Sequence, residues 1–479
     1  MIMMARTTAE LLKDPRGAHV VVVGGGKTGA AAAHLLVQRG ARVTLVDDAP
    51  EAKVREGLGK HGLDMATVTL RAGGMDADVV AAADLVVLSP GVPRAHAAVQ
   101  GALTAGVPVV NEVELAAAAL PASVAVLAIT GTNGKSTTTT MAGAIARIAD
   151  PDAFVGGNLG TPYCQAALDV AAGAPAPRFA VLELSSYQLE TLRHLVVKAA
   201  VVTNLSPDHL DRYPSAADYY AAKARVFGLL AANGGVALNA VDAESRAHLI
   251  AAVPGQRTRC DFDVPEGVEG IGIRGARLEV RHGDATRELG LDNPRIVGHH
   301  NRQNAAAAVA GALLVGIPPS AWQPGLDAWT GIAHRLERVG ESRGVVWYND
   351  SKATNVDAAL TGLRSFERGV HLLAGGLGKG APYAPLVDVA RGRVAAVYTL
   401  GADAPAIEAA FTGVVPVIRC GTLEVACRRA AAVARPGDTV LLSPACASFD
   451  QFKDYVHRGE SFREWFTKLA AATRGPEEG

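Results

Sequence analysis

The stretch that decides the fold is Val124-Ala-Val-Leu-Ala-Ile-Thr-Gly-Thr-Asn-Gly-Lys-Ser-Thr-Thr, at residues 124–138. An apolar, β-forming run leads into a turn flanked by glycines, and a helix-compatible segment follows the turn. Backbone N–H groups in such a turn and at the start of a helix form a cradle for phosphate groups. Lys135 adds a positive charge, and the Ser136 hydroxyl can bind Mg²⁺. The stretch therefore predicts an ATP- or GTP-binding loop made of Gly131, Thr132, Asn133, Gly134, Lys135, Ser136 and Thr137.

Composition narrows the class of protein. A length of 479 residues is enough for about three domains. The 49% apolar and 19% charged residues are typical of a soluble globular protein, and a net charge of −1 provides no basic face for nucleic acid. No apolar run is long enough for a membrane span, and the first residues lack the apolar core of a signal peptide. The five cysteines show no CxxC spacing, so we expect reduced thiols in a cytoplasmic protein.

Strand-like and helix-like runs alternate through three consecutive blocks, residues 1–118, 119–331 and 332–479. Such alternation is typical of α/β domains with parallel or mixed sheets. Residues 269–290 break the rhythm with an alternating pattern that predicts an antiparallel hairpin. The other apolar runs that predict strands lie at residues 19–23, 42–46, 84–88, 179–184, 200–205, 344–348, 370–374, 394–398 and 439–442.

A second glycine-rich loop, Gly24-Gly-Gly-Lys-Thr-Gly, follows the first predicted strand, and Asp47 ends the next one. The spacing is typical of a dinucleotide-binding turn, although any diphosphate could use the same backbone geometry. Ser89-Pro-Gly follows the third strand and is either part of the same site or a tight turn. A chain that carries this loop and the loop at Gly131 more naturally binds two different phosphorylated ligands.

Polar residues also follow two strands of the middle block. Glu183 stands at the carboxyl end of its strand, where it could bind Mg²⁺ beside the phosphate loop or cap the next helix. The next strand ends in a loop that carries Asp208, His209 and Asp211. Since parallel strands end at one edge of a sheet, we expect these side chains to share a rim with the phosphate loop.

Further polar clusters lie later in the chain. Asn301 and Asn304 are three residues apart in an Ala-rich helical run, so they can offer paired amides to a base or ribose, although Asn301 could also be an N-cap. Three strands of the last block end in polar clusters: Asp350, Lys352 and Thr354 after the first, Lys379 after the second, and Ser443 through Tyr455 after the last.

Taken in order, these motifs resemble the ATP-dependent Mur ligases of peptidoglycan synthesis, over nearly the whole chain. Gly157-Asn-Leu-Gly and Leu182-Glu-Leu-Ser-Ser-Tyr-Gln-Leu-Glu are most similar to the branch of the family that adds D-glutamate. The resemblance implies an α/β fold of three domains: a Rossmann-like UDP-substrate domain (1–118), a central P-loop ATP domain (119–331) and a Rossmann-like amino-acid domain (332–479). We also expect a monomer.

The resemblance implies that the Gly24 loop holds the UDP of the substrate UDP-N-acetylmuramoyl-L-alanine rather than NAD. Where some relatives place Thr and Arg after the acidic residue, this chain has Asp48 and Ala49, so UDP binding would rely on backbone amides. The residues implied for this substrate are Gly26, Lys27, Thr28, Asp47, Ser89, Pro90, Gly91, Asn158 and Ser185.

The resemblance also implies two Mg²⁺ ions and a carbamylated lysine, Lys223. An amine kept neutral near bound metal can take up CO₂, and the resulting anion binds Mg²⁺; without the resemblance, Lys223 is an ordinary helix lysine. The implied metal ligands are Ser136, Glu183, His209 and the Lys223 carbamate.

The remaining implied residues belong to ATP, the amino acid and the chemistry. The acid that often precedes the loop lysine in this family is replaced here by Leu377 and Gly378. Asn301, Asn304, Arg335 and Asp350 would contact ATP outside the phosphate loop, Thr354, Lys379, Ser448 and Tyr455 would hold D-glutamate, and Lys135, His209, Lys223 and Lys352 would be catalytic.

The expected reaction transfers the γ-phosphoryl group of ATP to the L-alanyl carboxylate, and the amine of D-glutamate then attacks the acyl phosphate. Three alternatives stay open at this point. A folylpolyglutamate synthetase would share the ATP loop but not the Gly24 domain, an NAD-dependent dehydrogenase would use only the Gly24 loop, and a nucleotide switch would form no product.

Overall fold

The structure, a computed structural model, describes residues 6–210, 212–255 and 257–472. Asp211, which the sequence places on the His209 loop, lies outside the described residues. The described residues form two compact units, one reaching Leu291 and including residues 303–328, the other containing residues 292–302 and the chain from Trp329 onward. The predicted domain boundaries at 118/119 and 331/332 stay predictions.

The first block forms a five-stranded parallel sheet whose strands are β1 (His19–Val23), β2 (Arg42–Asp47), β3 (Thr69–Ala72), β4 (Leu85–Leu88) and β5 (Val109–Val110). Their order across the sheet is β3-β2-β1-β4-β5, a doubly wound arrangement in which the loops after β1, β2 and β4 end side by side. Helices accompany the sheet: α1 (Thr8–Lys13), α2 (Lys27–Gln38), α3 (Glu51–Lys60), α4 (Ala77–Ala81), α5 (Ala97–Thr104) and α6 (Glu112–Ala119).

The middle block forms a six-stranded parallel sheet of β6 (Ala125–Thr130), β7 (Phe154–Gly157), β8 (Phe179–Glu183), β9 (Val197–Val202), β10 (Leu230–Leu238) and β11 (Thr258–Arg259), in the order β11-β10-β9-β6-β8-β7. The predicted antiparallel hairpin is confirmed as a three-stranded sheet of β12 (Gly270–Arg274), β13 (Arg277–His282) and β14 (Ala285–Gly290). The helices of this block are α7 (Lys135–Ala149), α8 (Cys164–Ala171), α9 (Ser186–Leu189), α10 (Ala216–Ala224), α11 (Ala243–Leu249), α12 (His299–Val315) and α13 (Trp322–Ala328).

One predicted strand of this block has different limits. The run at 200–205 was expected to be extended throughout, but β9 begins at Val197 and ends at Val202. After Val202 the chain leaves the sheet because Thr203 and Asn204 bond to the loop that follows β6. Short 3₁₀ helices are also present at Met65–Thr67, Arg225–Leu229, Ile250–Ala252 and Pro319–Ala321.

The last block forms a six-stranded sheet of β15 (Glu337–Ser342), β16 (Val345–Asn349), β17 (Val370–Gly375), β18 (Val394–Leu400), β19 (Val417–Gly421) and β20 (Thr439–Leu442), in the order β15-β16-β20-β17-β18-β19. Only β15 runs antiparallel to its neighbour. The four predicted strands are confirmed, whereas the half-exposed edge strands β15 and β19 lack the apolar pattern that would have predicted them. The helices are α14 (Val356–Leu363), α15 (Ala384–Ala390), α16 (Ala404–Phe411), α17 (Leu423–Val433) and α18 (Tyr455–Ala472). No helix in the described ranges is long and apolar enough to cross a membrane.

Helix α13 packs closely on α7 through Gly325, and this contact generates a stability prediction. A Cβ at Gly325 would overlap the Ile145 Cα and lie 2.7 Å from the Ile145 backbone nitrogen. We expect Gly325→Ala to lower the free energy of unfolding by about 1–3 kcal/mol, because α13 must move away from α7. Gly59→Ala is the control, since its Cβ meets nothing within 4 Å; it should raise stability by about 0.5–1 kcal/mol through helix propensity. Urea unfolding of both variants measures the effect, and an unchanged midpoint for Gly325→Ala would contradict the packing argument.

Candidate active site

The predicted phosphate loop joins β6 to α7 and is held in place by the loop after β9. Gly131 has a φ of 134°, and a Cβ there would overlap the Thr203 hydroxyl oxygen. Thr203 Oγ1 donates to the Asn133 carbonyl (2.6 Å), and the Thr132 amide donates to the Asn204 carbonyl (2.9 Å). Gly134 caps α7 in the left-handed region, with a φ of 81°. The turn is thus fixed by its neighbour, and the first turn of α7, whose N–H groups lack intrahelical acceptors, follows directly.

Three of the predicted ATP residues meet at this loop. Lys135 Nζ donates to the carbonyls of Gly131 (3.0 Å) and Thr132 (2.8 Å), so its charge lies along the loop. Ser136 is buried in the first turn of α7. Asn304 Oδ1 accepts from Thr138 Oγ1 (3.3 Å) and leaves no room for a Cβ at Gly134. The structure therefore brings together the loop, its lysine and an amide from a distant helix, and their role in ATP binding stays a prediction.

Glu183 has the properties of a cation ligand. It ends β8 opposite Ile129 of β6, and its side chain is 2% exposed. Its Oε1 accepts from Asn158 Nδ2 (2.7 Å), whereas the buried Oε2 has no hydrogen-bond partner among the described residues. A buried carboxylate oxygen without a donor fits a divalent cation, which is a hard ion that prefers oxygen ligands. The alternative, that Glu183 caps the next helix, is wrong, because Ser185 caps α9 in a capping box with Gln188.

Ser185 does not behave as expected for a substrate contact. Its hydroxyl accepts from the Gln188 amide (3.2 Å) and donates to Gln188 Oε1 (3.1 Å). The cap therefore occupies the groups that the resemblance assigned to the substrate.

Lys223 lies at the end of α10 and is almost completely buried, with 1% of its surface exposed. Its Nζ donates to the Gly131 carbonyl (2.7 Å) and lies 4.4 Å from the centre of the Tyr219 ring. Burial, and after it the charge of Lys135, lower the pKa of Lys223 to about 6, while the charges of Asp208 and Glu183 act in the opposite direction. At neutral pH the amine is mostly unprotonated beside the phosphate loop.

His209 lies near the Tyr219 ring that Lys223 also contacts. Its backbone has a φ of 53°, its Nδ1 lies 2.9 Å from the Tyr187 hydroxyl, and its ring centroid is 5.7 Å from that of Tyr219. His209 Nε2 is 3.6 Å from Asp208 Oδ2. The sequence carried no signal for Tyr187 or Tyr219 beyond their being aromatic.

Within the described part of the chain, no three His, Cys, Asp or Glu side chains are arranged to hold a metal ion. The predicted ligand set contains only two residues of these types, Glu183 and His209, so it depends on Ser136 and on modification of Lys223.

A cleft of about 520 Å³ lies at the edge of the first sheet; we call it the N-terminal cleft. It unites all predicted UDP-substrate residues except Ser185. The lining residues are Gly24, Gly26, Lys27, Thr28, Asp47, Asp48, Met75, Ser89, Pro90, Gly91, Val92, Pro93, His96, Gly157, Asn158, Gly160 and Pro162.

Several side chains of the N-terminal cleft brace its walls. Asp47 accepts from the amides of Gly25 (2.6 Å) and Ala49 (2.7 Å), and Ser89 Oγ donates to the Gly24 carbonyl (3.1 Å). Lys27 Nζ donates to the carbonyl of Gly160 (2.8 Å), which belongs to the middle block.

His96 is a cleft residue that the sequence analysis missed. It caps α5, and its Nε2 lies 3.2 Å from Asp48 Oδ2. A lone histidine before a helix carries no signal for a binding site, and only the tertiary structure brings it to the cleft.

In the second unit, the predicted amino-acid residues lie on the loops after β16, β17 and β20, which are adjacent in the sheet. The backbones of Leu377 and Ala447 exchange hydrogen bonds of 2.8 and 3.0 Å, so two of these loops are joined. Ser448 is buried, Thr354 and Tyr455 are half-buried, and Lys379 is exposed. Lys352 Nζ is 5.7 Å from the Tyr455 ring centroid.

The predicted ATP residues of this unit have protein partners. Asp350 accepts from Ser443 Oγ (2.8 Å) and the Leu336 amide (3.1 Å), and burial raises the pKa of its carboxyl to about 7. Arg335 is half-buried next to His334, whose φ is 62°. Asn301 lies inside α12 and donates to the Val297 carbonyl (2.9 Å), so the N-cap alternative for Asn301 is wrong.

The loop that carries Lys379 contacts an acidic residue, Asp403, from the loop after β18. Asp403 lies against Gly378, where a Cβ would overlap its carboxylate, and its amide donates to the Gly376 carbonyl (2.9 Å). Asp403 also accepts from the Tyr383 hydroxyl. Leu377 and Gly378 carry no acid, and sequence spacing could not have shown that Asp403 contacts this loop.

Comparisons with known proteins agree with this architecture. Family models described as "Mur ligase MurD-like, N-terminal domain", "Mur ligase middle domain" and "Mur ligase, glutamate ligase domain" match residues 18–111, 129–312 and 334–446. The UDP-N-acetylmuramoylalanine--D-glutamate ligase of Anaeromyxobacter dehalogenans is 48% identical over 95% of this chain and 98% of its own. The enzyme of the same name from Myxococcus xanthus is 45% identical over 93% of this chain and 97% of its own.

Among solved structures, the UDP-N-acetylmuramate-alanine ligase of Thermotoga maritima has a similar fold, with a TM-score of 0.57 and 18% identity over 94% of this chain and 99% of that one. The predicted three-domain α/β fold is confirmed. This chain belongs to the Mur ligase family.

Proposed function

We propose that this chain is an ATP-dependent ligase that joins D-glutamate to UDP-N-acetylmuramoyl-L-alanine and releases ADP and phosphate. The main support for this proposal is the position of the Asn158 side chain. It lines the N-terminal cleft and donates to Glu183 (2.7 Å), the carboxylate beside the phosphate loop. One residue thereby links two phosphate-type sites, as a ligase needs when it brings ATP to the carboxylate of a UDP-linked substrate. The names of the two bacterial relatives support this choice of substrates.

The N-terminal cleft suits the UDP substrate better than NAD. Asp47 accepts from two backbone amides, so it would serve the site by holding the glycine loop. Asn158 and Gly160 extend the cleft towards the middle sheet. We assign Gly26, Lys27, Thr28, Asp47, Ser89, Pro90, Gly91 and Asn158 to this substrate, and leave out Ser185, whose hydroxyl caps α9 and which does not line the cleft.

ATP fits the loop after β6. Gly131, Thr132, Asn133, Gly134 and Thr137 would surround the phosphates with backbone amides, and Lys135 would neutralise the charge that develops during transfer. Mg²⁺ would supply further charge neutralisation, held by Ser136 and by the unpartnered oxygen of Glu183. Asn301, Asn304, Arg335 and Asp350 are the proposed contacts to the rest of ATP.

We propose that Lys223 is carbamylated. The neutral amine attacks the carbon of CO₂, a C–N bond forms and one proton leaves, which converts the lysine into an anion. The anion can then join His209 in holding a second Mg²⁺, beside the ion held by Ser136 and Glu183. The low pKa of Lys223 supports this step, because only the unprotonated amine can react.

The incoming amino acid is assigned to the second unit. Thr354, Lys379, Ser448 and Tyr455 would hold the carboxylates of D-glutamate, and Lys352 would stabilise the transferred phosphoryl group. His209 completes the proposed catalytic set as an acceptor for the proton that the amine loses. We also propose a cytoplasmic monomer without nucleic-acid partner.

The test of the proposed function is phosphate release from ATP with Mg²⁺ and UDP-N-acetylmuramoyl-L-alanine. D-glutamate, L-glutamate, L-lysine, diaminopimelate and L-alanine are compared as acceptors. We expect turnover with D-glutamate alone. Turnover with another amino acid would refute the proposed acceptor. If folded protein releases no phosphate with any acceptor, and NADH but not ATP protects it from unfolding, the dehydrogenase alternative is favoured.

We expect Lys223→Ala to lower kcat by about 10²–10³-fold, because an anionic metal ligand is lost. Short carboxylic acids such as formate should restore part of the activity. Lys198→Ala is the matched control, since Lys198 lies on β9 and bonds only to the carbonyl of Asn233 among the contacts described. A folded Lys223→Ala protein that formate does not rescue would refute the carbamate.

The carbamate also has a predicted pH dependence. The folded pKa of Lys223 lies below its ordinary value, so the amine is neutral above pH 6 and protonated below it. With ¹³C-labelled bicarbonate, wild-type protein should show a carbamate carbon signal by NMR at pH 8 that disappears as the pH falls through about 6. Lys223→Ala should show no such signal at any pH, and a signal of equal intensity in this variant would contradict the assignment.

Gly29→Ala tests the N-terminal cleft separately from the phosphate loop. A Cβ at Gly29 would overlap the Gly24 carbonyl oxygen and displace the glycine loop. We expect KM for the UDP substrate to rise about tenfold or more while KM for ATP stays within about twofold. Gly101→Ala in α5 is the control, because its nearest neighbour is the Ala77 Cβ at 3.9 Å. Equal increases in both KM values would contradict a cleft dedicated to the UDP substrate.

A further inference from the structure

Arg458, in the first turn of α18, is a completely buried cation. Its Nη2 donates to the carbonyls of Ser351 (2.9 Å) and Cys446 (3.0 Å), and its Nε donates to Ser351 Oγ (3.0 Å). Its Nη1 makes longer bonds to the carbonyls of Gly375 (3.5 Å) and Ala447 (3.4 Å). All these acceptors are neutral, and none of the ion pairs in the described ranges involves Arg458.

The acceptors of Arg458 belong to three different loops. Ser351 lies in the loop after β16, Gly375 ends β17, and Cys446 and Ala447 lie in the loop after β20. These are the loops to which Thr354, Lys379 and Ser448 belong. One guanidinium therefore connects the three segments that carry the proposed amino-acid site.

Tyr455 is attached to the same network. Ser351 Oγ donates to the Tyr455 carbonyl (2.8 Å) while it accepts from Arg458 Nε. The start of α18 is thus fixed relative to the loop that contains Lys352.

Among the residues that the structure describes, no carboxylate hydrogen-bonds to Arg458, and the charge of Asp450 only partly opposes the effect of burial on its pKa. Burying such a charge is costly, so its retention calls for a reason. Burial lowers the pKa of Arg458 to about 10, which leaves it protonated at neutral pH. The planar fork of arginine has five N–H donors in fixed directions, which suits acceptors on several loops at once. Its charge also makes the potential at this edge of the sheet more positive, and in a low-dielectric interior that effect is weakly screened.

We propose that Arg458 is a positioning residue for the incoming amino acid. It holds the three strand-end loops in a single arrangement and makes the potential at their edge more positive, which favours a dicarboxylate. This inference rests on the proposed function, in which D-glutamate binds at this edge, and extends it to a residue that touches neither substrate nor metal.

The test compares Arg458→Met, Arg458→Lys and Ser351→Ala with the control Arg463→Met. Arg463 lies on the same helix but pairs with Glu337 and Glu460. We expect Arg458→Met to raise KM for D-glutamate about tenfold or more, with KM for ATP and the UDP substrate within about twofold. Arg458→Lys keeps the charge but not the fork, so it should have an intermediate effect, and Ser351→Ala a smaller one in the same direction. Arg463→Met should leave KM for D-glutamate unchanged.

A purely structural role would lower the melting temperature without a selective change in KM for D-glutamate, and that result would overturn the proposal. If Arg458→Met does not fold, Arg458→Lys and Ser351→Ala decide by the same criterion. Backbone hydrogen exchange gives a readout independent of activity: we expect faster exchange in residues 350–355, 376–380 and 445–449 than in the control variant. If the wild type uses another amino acid, the proposed function fails on its own, and the KM for that acceptor and the exchange rates test Arg458; unchanged loops would overturn the inference.

Discussion

A turn without room for a side chain, at Gly131, is the constraint on which the central site depends. Its positive φ and its contact with Thr203 fix the direction of its carbonyl group. That carbonyl accepts from two lysines, Lys135 (3.0 Å) and Lys223 (2.7 Å). Burial lowers the pKa of Lys223, and the positive charge of Lys135, which bonds to the same oxygen, lowers it in the same direction. The phosphate loop thus also sets the chemistry of Lys223.

Short polar contacts connect the N-terminal cleft to Glu183, beside the Gly131 loop, within the first unit. Lys27 crosses from the first sheet to the Gly160 carbonyl (2.8 Å), and Asn158 reaches back from there to Glu183 (2.7 Å). A substrate bound in the N-terminal cleft could therefore extend along Asn158 to Glu183, which ends the strand beside β6. In the proposed function, substrate binding and positioning for phosphoryl transfer would therefore depend on one connected set of contacts.

Some residues that ligand-binding motifs single out act in this structure as braces for backbone. Asp47 and Ser89 hold the Gly24 loop, Ser185 caps a helix, and Asp350 holds the chain at Leu336. Each has a carboxylate or hydroxyl near a strand end, where free backbone amides and carbonyls are common. A sequence motif therefore cannot distinguish a side chain that binds a ligand from one that bonds to backbone. Conversely, Asp403 supplies an acid to the Gly378 loop from another strand, and His96 reaches the N-terminal cleft from a helix cap.

The amino-acid sequence by itself determined the succession of α/β blocks, the glycine loops at Gly24 and Gly131, the antiparallel hairpin and the family, because these depend on local periodicity and on residues close together in the chain. It did not determine the edge strands β15 and β19, whose polar, half-exposed residues follow no apolar pattern. Nor could it show that Lys223 loses its proton or that Arg458 connects three loops, since burial and long-range contacts exist only once the sheets have formed. The charge state of Lys223 follows from its removal from water, and the arrangement of the three loops follows from contacts between residues far apart in the chain. Both depend on tertiary structure.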